Sequence, residues 1–143
     1  MTDFPTKGKL LGLDHGLKRI GVAVCDEMRI IAREITIITR QSKQEDFEKI
    51  AKIAQEQGVI GIVVGIPLDL DRVEGDHTRA DTVRLWAERL GEVVNLPITF
   101  HDEQFSSQDA QEIAKQKKRK PTDPIDDLSA RVILQRYMDD NSG

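Results

Sequence analysis

The sequence predicts an α/β chain built on a mixed five-stranded sheet, in which three antiparallel strands come first and two more are added through helical crossovers. Three observations lead there. Two short aliphatic runs near the start, Lys9 to Leu13 and Ile20 to Cys25, flank a segment of turn composition, Asp14-His15-Gly16-Leu17-Lys18-Arg19, and read as a hairpin. Val59 to Ile66 is short and continuously apolar, the pattern of a strand covered on both faces and hence of a parallel sheet. Segments with apolar residues at helical spacing alternate with strand-like runs over the rest of the chain.

The remaining elements follow in order. Met28 to Ile38 supplies a third strand, β-branched at Ile30, Ile31, Ile35, Thr36, Ile37 and Ile38. From Lys43 to Gln57, Phe47, Ile50, Ala51 and Ala54 recur on one helical face, and Gly58 is placed to stop the helix. Pro67 closes the fourth strand. A polar loop leads to Ala80, Val83, Trp86, Ala87 and Leu90, which mark a second amphipathic helix, and Pro97 to Phe100 reads as a fifth strand. Ser106, with Asp109 three residues on, resembles a helix start and opens a third helix through Gln116. A last helix runs from Pro124 to Met138.

This order resembles the arrangement of ribonuclease H-like domains: an antiparallel meander, then two strands added through helical crossovers, with helices covering the sheet. One domain is expected over 1–143, with its core from about residue 9 to 138, since a chain of this length buries roughly two-thirds of its unfolded surface in one core. In open α/β sheets function gathers beyond the carboxyl ends of the parallel strands. Asp14, Gly65-Ile66-Pro67 and Glu103 all fall there.

Composition narrows the function. At 38% hydrophobic and 32% charged, the chain reads as an ordinary soluble globular protein, with an aliphatic core because aromatics are only 4%. No apolar run approaches signal-peptide or membrane-span length, so a cytoplasmic protein without a membrane partner is expected. The lone Cys25 sits in the apolar run GVAVC and reads as a small buried hydrophobe rather than a nucleophile. His15, His77 and His101 have no metal-ligand spacing. The net charge of −4 argues against coating nucleic acid through overall electrostatics. Cations are nevertheless concentrated locally, at Lys115, Lys117, Lys118, Arg119 and Lys120, just before the Pro121 to Pro124 turn. That run is either a solvated surface or a loop that grips phosphates.

Three acidic residues at the mouths of core elements carry the chemistry: Asp14, Glu103 and Asp126. Each has a bland reading alone. Asp-His-Gly is a serviceable turn, Glu103 could be a solvated loop residue, and Asp126 could merely favour the dipole of a helix capped by Asp123 with Pro124 at its first position. Asp126, however, shares a helical face with Ala130, Ile133 and Tyr137, the apolar face turned to the sheet, while Asp127 is expected on a more exposed face, paired with Arg131. Gathered together, the three carboxylates would cage divalent cations, and Mg²⁺ prefers such hard oxygen donors. Two ions about 4 Å apart can serve both ends of an in-line phosphodiester displacement. Lys18, Arg19, Lys117, Lys118, Arg119 and Lys120 are the candidate contacts to the nucleic-acid backbone.

The segments Leu13 to Gly16, Arg19 to Ala23, Val64 to Leu68, His101 to Glu103 and Ile125 to Ala130 occur in an order and at spacings that resemble the YqgF family of bacterial ribonuclease H-like nucleases. The resemblance runs from about Lys9 to Met138. It implies a nuclease that matures the 5′ end of pre-16S rRNA, kin to Holliday junction resolvases, with an acidic triad on Asp14, Glu103 and Asp126 and Mg²⁺ or Mn²⁺ as cofactor. Precursor rRNA, a DNA junction and ribosomal particles are the implied partners, with a monomer or weak homodimer as the acting form. Two positions depart from the pattern: Gln104 stands where Arg usually follows Asp-Glu, and Arg72 where Gly usually follows Asp71. An inert nucleic-acid or ribosome-binding module is the competing reading, separated from a nuclease by metal-dependent turnover. A sugar-kinase or actin-like phosphotransferase also opens with an Asp-x-Gly hairpin, but it would need a second lobe that 143 residues leave no room for.

Overall fold

The computed structural model describes residues 4–67, 78–104 and 106–141. Among these residues nine elements follow one another: β1 (Leu10–His15), β2 (Arg19–Cys25), β3 (Ala32–Thr39), α1 (Lys43–Gln57), β4 (Gly61–Ile66), α2 (Arg79–Val94), β5 (Ile98–Asp102), α3 (Ser106–Gln116) and α4 (Asp126–Asn141). The strands form one sheet in the order β3-β2-β1-β4-β5. β1, β2 and β3 pair antiparallel, and β4 and β5 extend the sheet in parallel from β1. This is the predicted mixed sheet, meander first and crossovers after.

Strand alternation divides the core into two layers. Leu11, Leu13, Val22, Val24, Ile62 and Val64 point to the side covered by α1 and α2, where they pack with Phe47, Ile50, Val83, Trp86 and Leu90. The residues between them, Leu10, Ala23, Cys25 and Val63, face α4 and meet Ala130, Ile133, Leu134 and Met138. Cys25 is buried there, its sulfur accepting the Leu10 N–H at 3.2 Å, so it packs as the small hydrophobe expected. α3 is tied to α4 by a smaller cluster of Ala110, Ala114 and Leu128. Ser42 caps α1 by accepting from Glu45 N, and Gly58 ends it in the left-handed conformation at φ 68°.

Several boundaries differ from the sequence reading. β3 begins at Ala32, not Met28, because the Asp26 carboxylate accepts the backbone N–H groups of Met28, Ile30 and Ile31 and folds that stretch into a turn. Ile30 and Ile31 are consequently exposed, by 63% and 64%, despite their β-branched character. α4 begins at Asp126 rather than Pro124. Asp123 does not cap it; its carboxylate accepts Lys120 N instead. The expected Asp127–Arg131 pair is not formed. Asp127 is buried and takes two hydrogen bonds from Arg119, at 2.9 and 3.0 Å, while Arg131 pairs with Glu34 on β3. The stretch holding Arg72 and His77 lies outside the described residues.

Candidate active site

The alternation that sends Leu10 toward α4 also sends Asp14, four residues on, to the same side of the sheet at the carboxyl end of β1. β5 delivers Glu103 beside it. That residue follows the strand directly, and its N–H is held by the Ile66 carbonyl at the end of β4. Asp126 arrives from the helix covering that same side, as the first residue of α4, half-buried, with its carboxylate 3.1 Å from Arg19 Nε on β2. The three acids named from the sequence are thus brought to one edge of the sheet, although β1, β5 and α4 are distant in the chain.

Two glycines make this convergence sterically possible. Gly21 is the register partner of Asp14, and a Cβ placed on it would lie 1.8 Å from the Asp126 carbonyl oxygen. A Cβ on Gly65 would lie 2.5 Å from Ile133 Cδ1 and 3.3 Å from Glu103 Cβ. Without side chains at these points, the N-terminal turn of α4 settles directly onto the strands.

The electrostatics record how crowded the acids are. Burial, then the charges of Glu103 and Asp126, push the Asp14 carboxyl from 3.8 up to about 7. Its hydrogen bond with Glu103 adds to the shift. Burial leaves Glu103 raised overall. Among the described residues no three His, Cys, Asp or Glu side chains already form a cation shell, since Asp126 is turned toward Arg19.

Arg79, the first residue of α2, is a member of this neighbourhood that the sequence reading passed over. Its positive charge lowers both Asp14 and Glu103. Its guanidinium donates to the His15 carbonyl and lies 3.2 Å from His15 Nδ1. His15 is buried against Trp86, with ring centroids 4.5 Å apart. Burial, then the charges of Arg40 and Arg79, lower its pKa to about 4, so the ring is neutral beside the acids. The available signal was the capping box: Thr78 accepts from Asp81 N while Asp81 accepts from Thr78 N, which fixes residue 79 as the start of α2.

The predicted cations divide into two kinds. Arg19 is paired with Asp126, Lys117 with Glu34 at 3.1 Å, and Arg119 with buried Asp127. Lys18, Lys118 and Lys120 are exposed and form no ion pair among the described residues. A groove of about 550 Å³ opens beside Asp126, bordered by Arg19, Lys115, Arg119 and Lys120.

A mixed sheet of this order, with α4 laid across it, is the ribonuclease H-like fold. RuvC from T. thermophilus, solved in complex with a Holliday junction substrate, superposes with a TM-score of 0.62 over 94% of this chain and 96% of that one, at 13% identity. The yeast mitochondrial Holliday junction resolvase Ydc2 does so at 0.58, covering 99% of this chain and 82% of its own, at 10% identity. Such low identities establish the shared fold alone.

Residues 8–140 match the RuvX family model, whose description is Holliday junction resolvase, and the chain belongs to that family. A protein of Thermosynechococcus vestitus with the name "Putative pre-16S rRNA nuclease" is 41% identical over 136 residues, covering 93% of this chain and 89% of that protein. One of the same name from Syntrophus aciditrophicus is 38% identical over 134 residues, covering 92% and 88%. The chemistry that goes with this membership is cleavage of phosphodiester bonds in nucleic acid.

Proposed function

We propose that this chain is a divalent-metal-dependent nuclease whose substrate is the 5′ region of precursor 16S rRNA, with Asp14, Glu103 and Asp126 as its catalytic and metal-holding residues. The observation that carries the reading is the convergence of Asp14, Glu103 and Asp126 at one edge of the sheet, where burial first and then the two neighbouring carboxylates push Asp14 to about 7. Such a cluster is costly without positive charge, and its all-oxygen donors suit Mg²⁺ or Mn²⁺. When bound, the metal would supply an activated water and offset charge on the leaving oxygen.

The chain's own residues do the rest. Asp14, Glu103 and Asp126 would hold the cation once Asp14 is ionised and the Asp126 carboxylate is no longer engaged by Arg19. Arg19 is then free to turn to a substrate phosphate at the same edge. Arg79, anchored on His15, supports the ionised forms of Asp14 and Glu103 from the α2 side. Lys18, Lys118 and Lys120 contact the backbone further out, where they carry position rather than sequence information. Lys117 and Arg119 shape that surface through Glu34 and Asp127.

The choice of rRNA rests on the relatives that share more than a third of their residues with this chain and carry the pre-16S name. It implies work in the cytoplasm on ribosomal precursor particles, and a single copy suffices for trimming one strand. No helix among the described residues is long and apolar enough to cross a membrane. The family description favours a second reading, a DNA-junction resolvase.

Labelled precursor 5′ segment and a four-way DNA junction, each incubated with Mg²⁺ or Mn²⁺, separate the two. Metal-dependent cutting of the RNA that is lost in Asp126→Asn is expected. Cutting of the junction alone would replace the rRNA reading, and tight binding without cutting of either would leave a binding module.

A further inference from the structure

The groove beside Asp126 has features that backbone contact alone does not require. Its walls come from the end of α3, the 117–125 loop and the first turn of α4. Ala114, Pro121, Pro124 and Ile125 contribute aliphatic surface to its lining, while Gln111 and Thr122 offer both hydrogen-bond donors and acceptors. Lys115 and Lys120 stand at its border as exposed cations. At about 550 Å³ it falls among small-ligand pockets, which run from about 300 to 1,000 Å³.

The loop that builds it is held in place from within. Arg119 clamps buried Asp127 with two hydrogen bonds and donates a third to the Pro124 carbonyl at 3.3 Å. Lys120 N–H is accepted by the Asp123 carboxylate, and Asp123 N–H by the Lys120 carbonyl. The Asp123 charge is therefore tied into the loop's own turn. A preformed concavity loses little entropy on binding.

We propose that this groove receives one unpaired nucleotide next to the cleaved phosphate, with its base on the aliphatic surface and edge-bonded to Gln111 or Thr122, and its phosphate between Lys115 and Lys120. A base stacked and paired in a duplex cannot reach that surface, so the groove selects substrates with a single-stranded or bulged position at the cut. The proposal rests on reading the adjoining carboxylates as the cleavage site, because Asp126 and Arg19 belong to both.

Binding tests it without turnover. Adenosine 5′-monophosphate and ribose 5-phosphate are titrated into the full chain in EDTA and followed by backbone amide shifts. The nucleotide is expected to bind about tenfold more tightly, the contribution of base burial on an apolar surface, with shifts at Gln111, Thr122 and Ile125. Thr122→Trp, which fills the groove from an exposed loop position, should erase that advantage, and Gln111→Ala should weaken it if the first variant does not fold. Equal affinities for the two ligands, or shifts confined to other surfaces, would overturn the proposal. A nucleotide preference in a chain that cuts no nucleic acid would sink the nuclease reading and keep the groove as a nucleotide site. Cleavage with no nucleotide preference would do the reverse.

Discussion

The Asp14 and Glu103 carboxyls share a hydrogen bond across the end of β4, which separates their strands in the sheet. Two acids that share a proton in this way cost stability once the proton is lost. Asp14 is pushed from 3.8 to about 7, so between those values the native chain binds a proton that the unfolded chain has released. Stability from this group therefore falls as pH rises through the window. Asp14→Asn removes the charge. In EDTA it should be more stable than the parent by roughly 2–4 kcal/mol at pH 8, with the gain fading toward pH 4, as read from urea melts. A loss of stability at pH 8 would mean that Asp14 is not crowded.

His15 works in the opposite direction. Its pKa is lowered from 6.5 to about 4, so in that interval the unfolded chain carries the extra proton and stability rises with pH. Between about pH 4 and 6.5 the two slopes offset each other. Asp14→Asn should expose the His15 slope, giving melts that strengthen from pH 4.5 to 6.5 where the parent's stay nearly flat.

Metal affinity should follow the Asp14 proton. Binding to an ionised cluster requires its release, so calorimetric titration of Mn²⁺ should show affinity rising by about tenfold per pH unit below 7 and levelling above it, with proton uptake by the buffer. Affinity unchanged from pH 6 to 8 would separate Asp14 from the metal.

Gly21 offers a steric test of the site's geometry. Its missing Cβ admits the Asp126 carbonyl, so Gly21→Ala should displace the start of α4 and destabilise by about 3 kcal/mol, with cleavage falling further than stability accounts for. Gly58, whose Cβ would meet nothing within 4 Å, is the comparison. Gly58→Ala should cost only the left-handed conformation, about 1 kcal/mol, and leave cleavage unchanged.

These residues also mark what the sequence made legible. The mixed sheet, the chain order of its elements and the edge expected to gather Asp14 and Glu103 follow from hydrophobic periodicity and crossover rules, which act over a few residues at a time. Asp127 and Arg119 did not. Counting helical positions paired Asp127 with Arg131, whereas the loop after α3 folds back and inserts Arg119, a contact that no i to i+4 rule contains. Ile30 and Ile31 misled for a related reason. Their β-branched side chains signalled strand, but one carboxylate, Asp26, captured the backbone first. Arg79 was hidden because its role depends on where α2 begins relative to β1, a tertiary fact.

Arg79 can be tested by its charge. Because it lowers Asp14 and Glu103, Arg79→Ala should raise the Asp14 pKa above about 7, as followed by carboxyl carbon shifts in EDTA, and move the pH at which cleavage reaches half its plateau in the same direction. Arg79→Lys should restore part of both. A titration curve identical to the parent's would reduce Arg79 to an anchor for His15.

The run from Lys115 to Lys120 is not one functional unit, and its members should separate by what they change. Arg119 neutralises an Asp127 side chain that is only 9% exposed, so Arg119→Ala leaves a buried charge and should cost about 3 kcal/mol of stability. Lys118 and Lys120 have no such burden. Reversing both to Glu should leave the melt within about 0.5 kcal/mol of the parent. The same change should weaken nucleic-acid binding and flatten the dependence of log affinity on log salt by about 1–2, as expected when one or two phosphates are no longer neutralised. A salt slope that stays with the parent's would move the backbone path away from this loop, toward Lys18 and the β1–β2 turn.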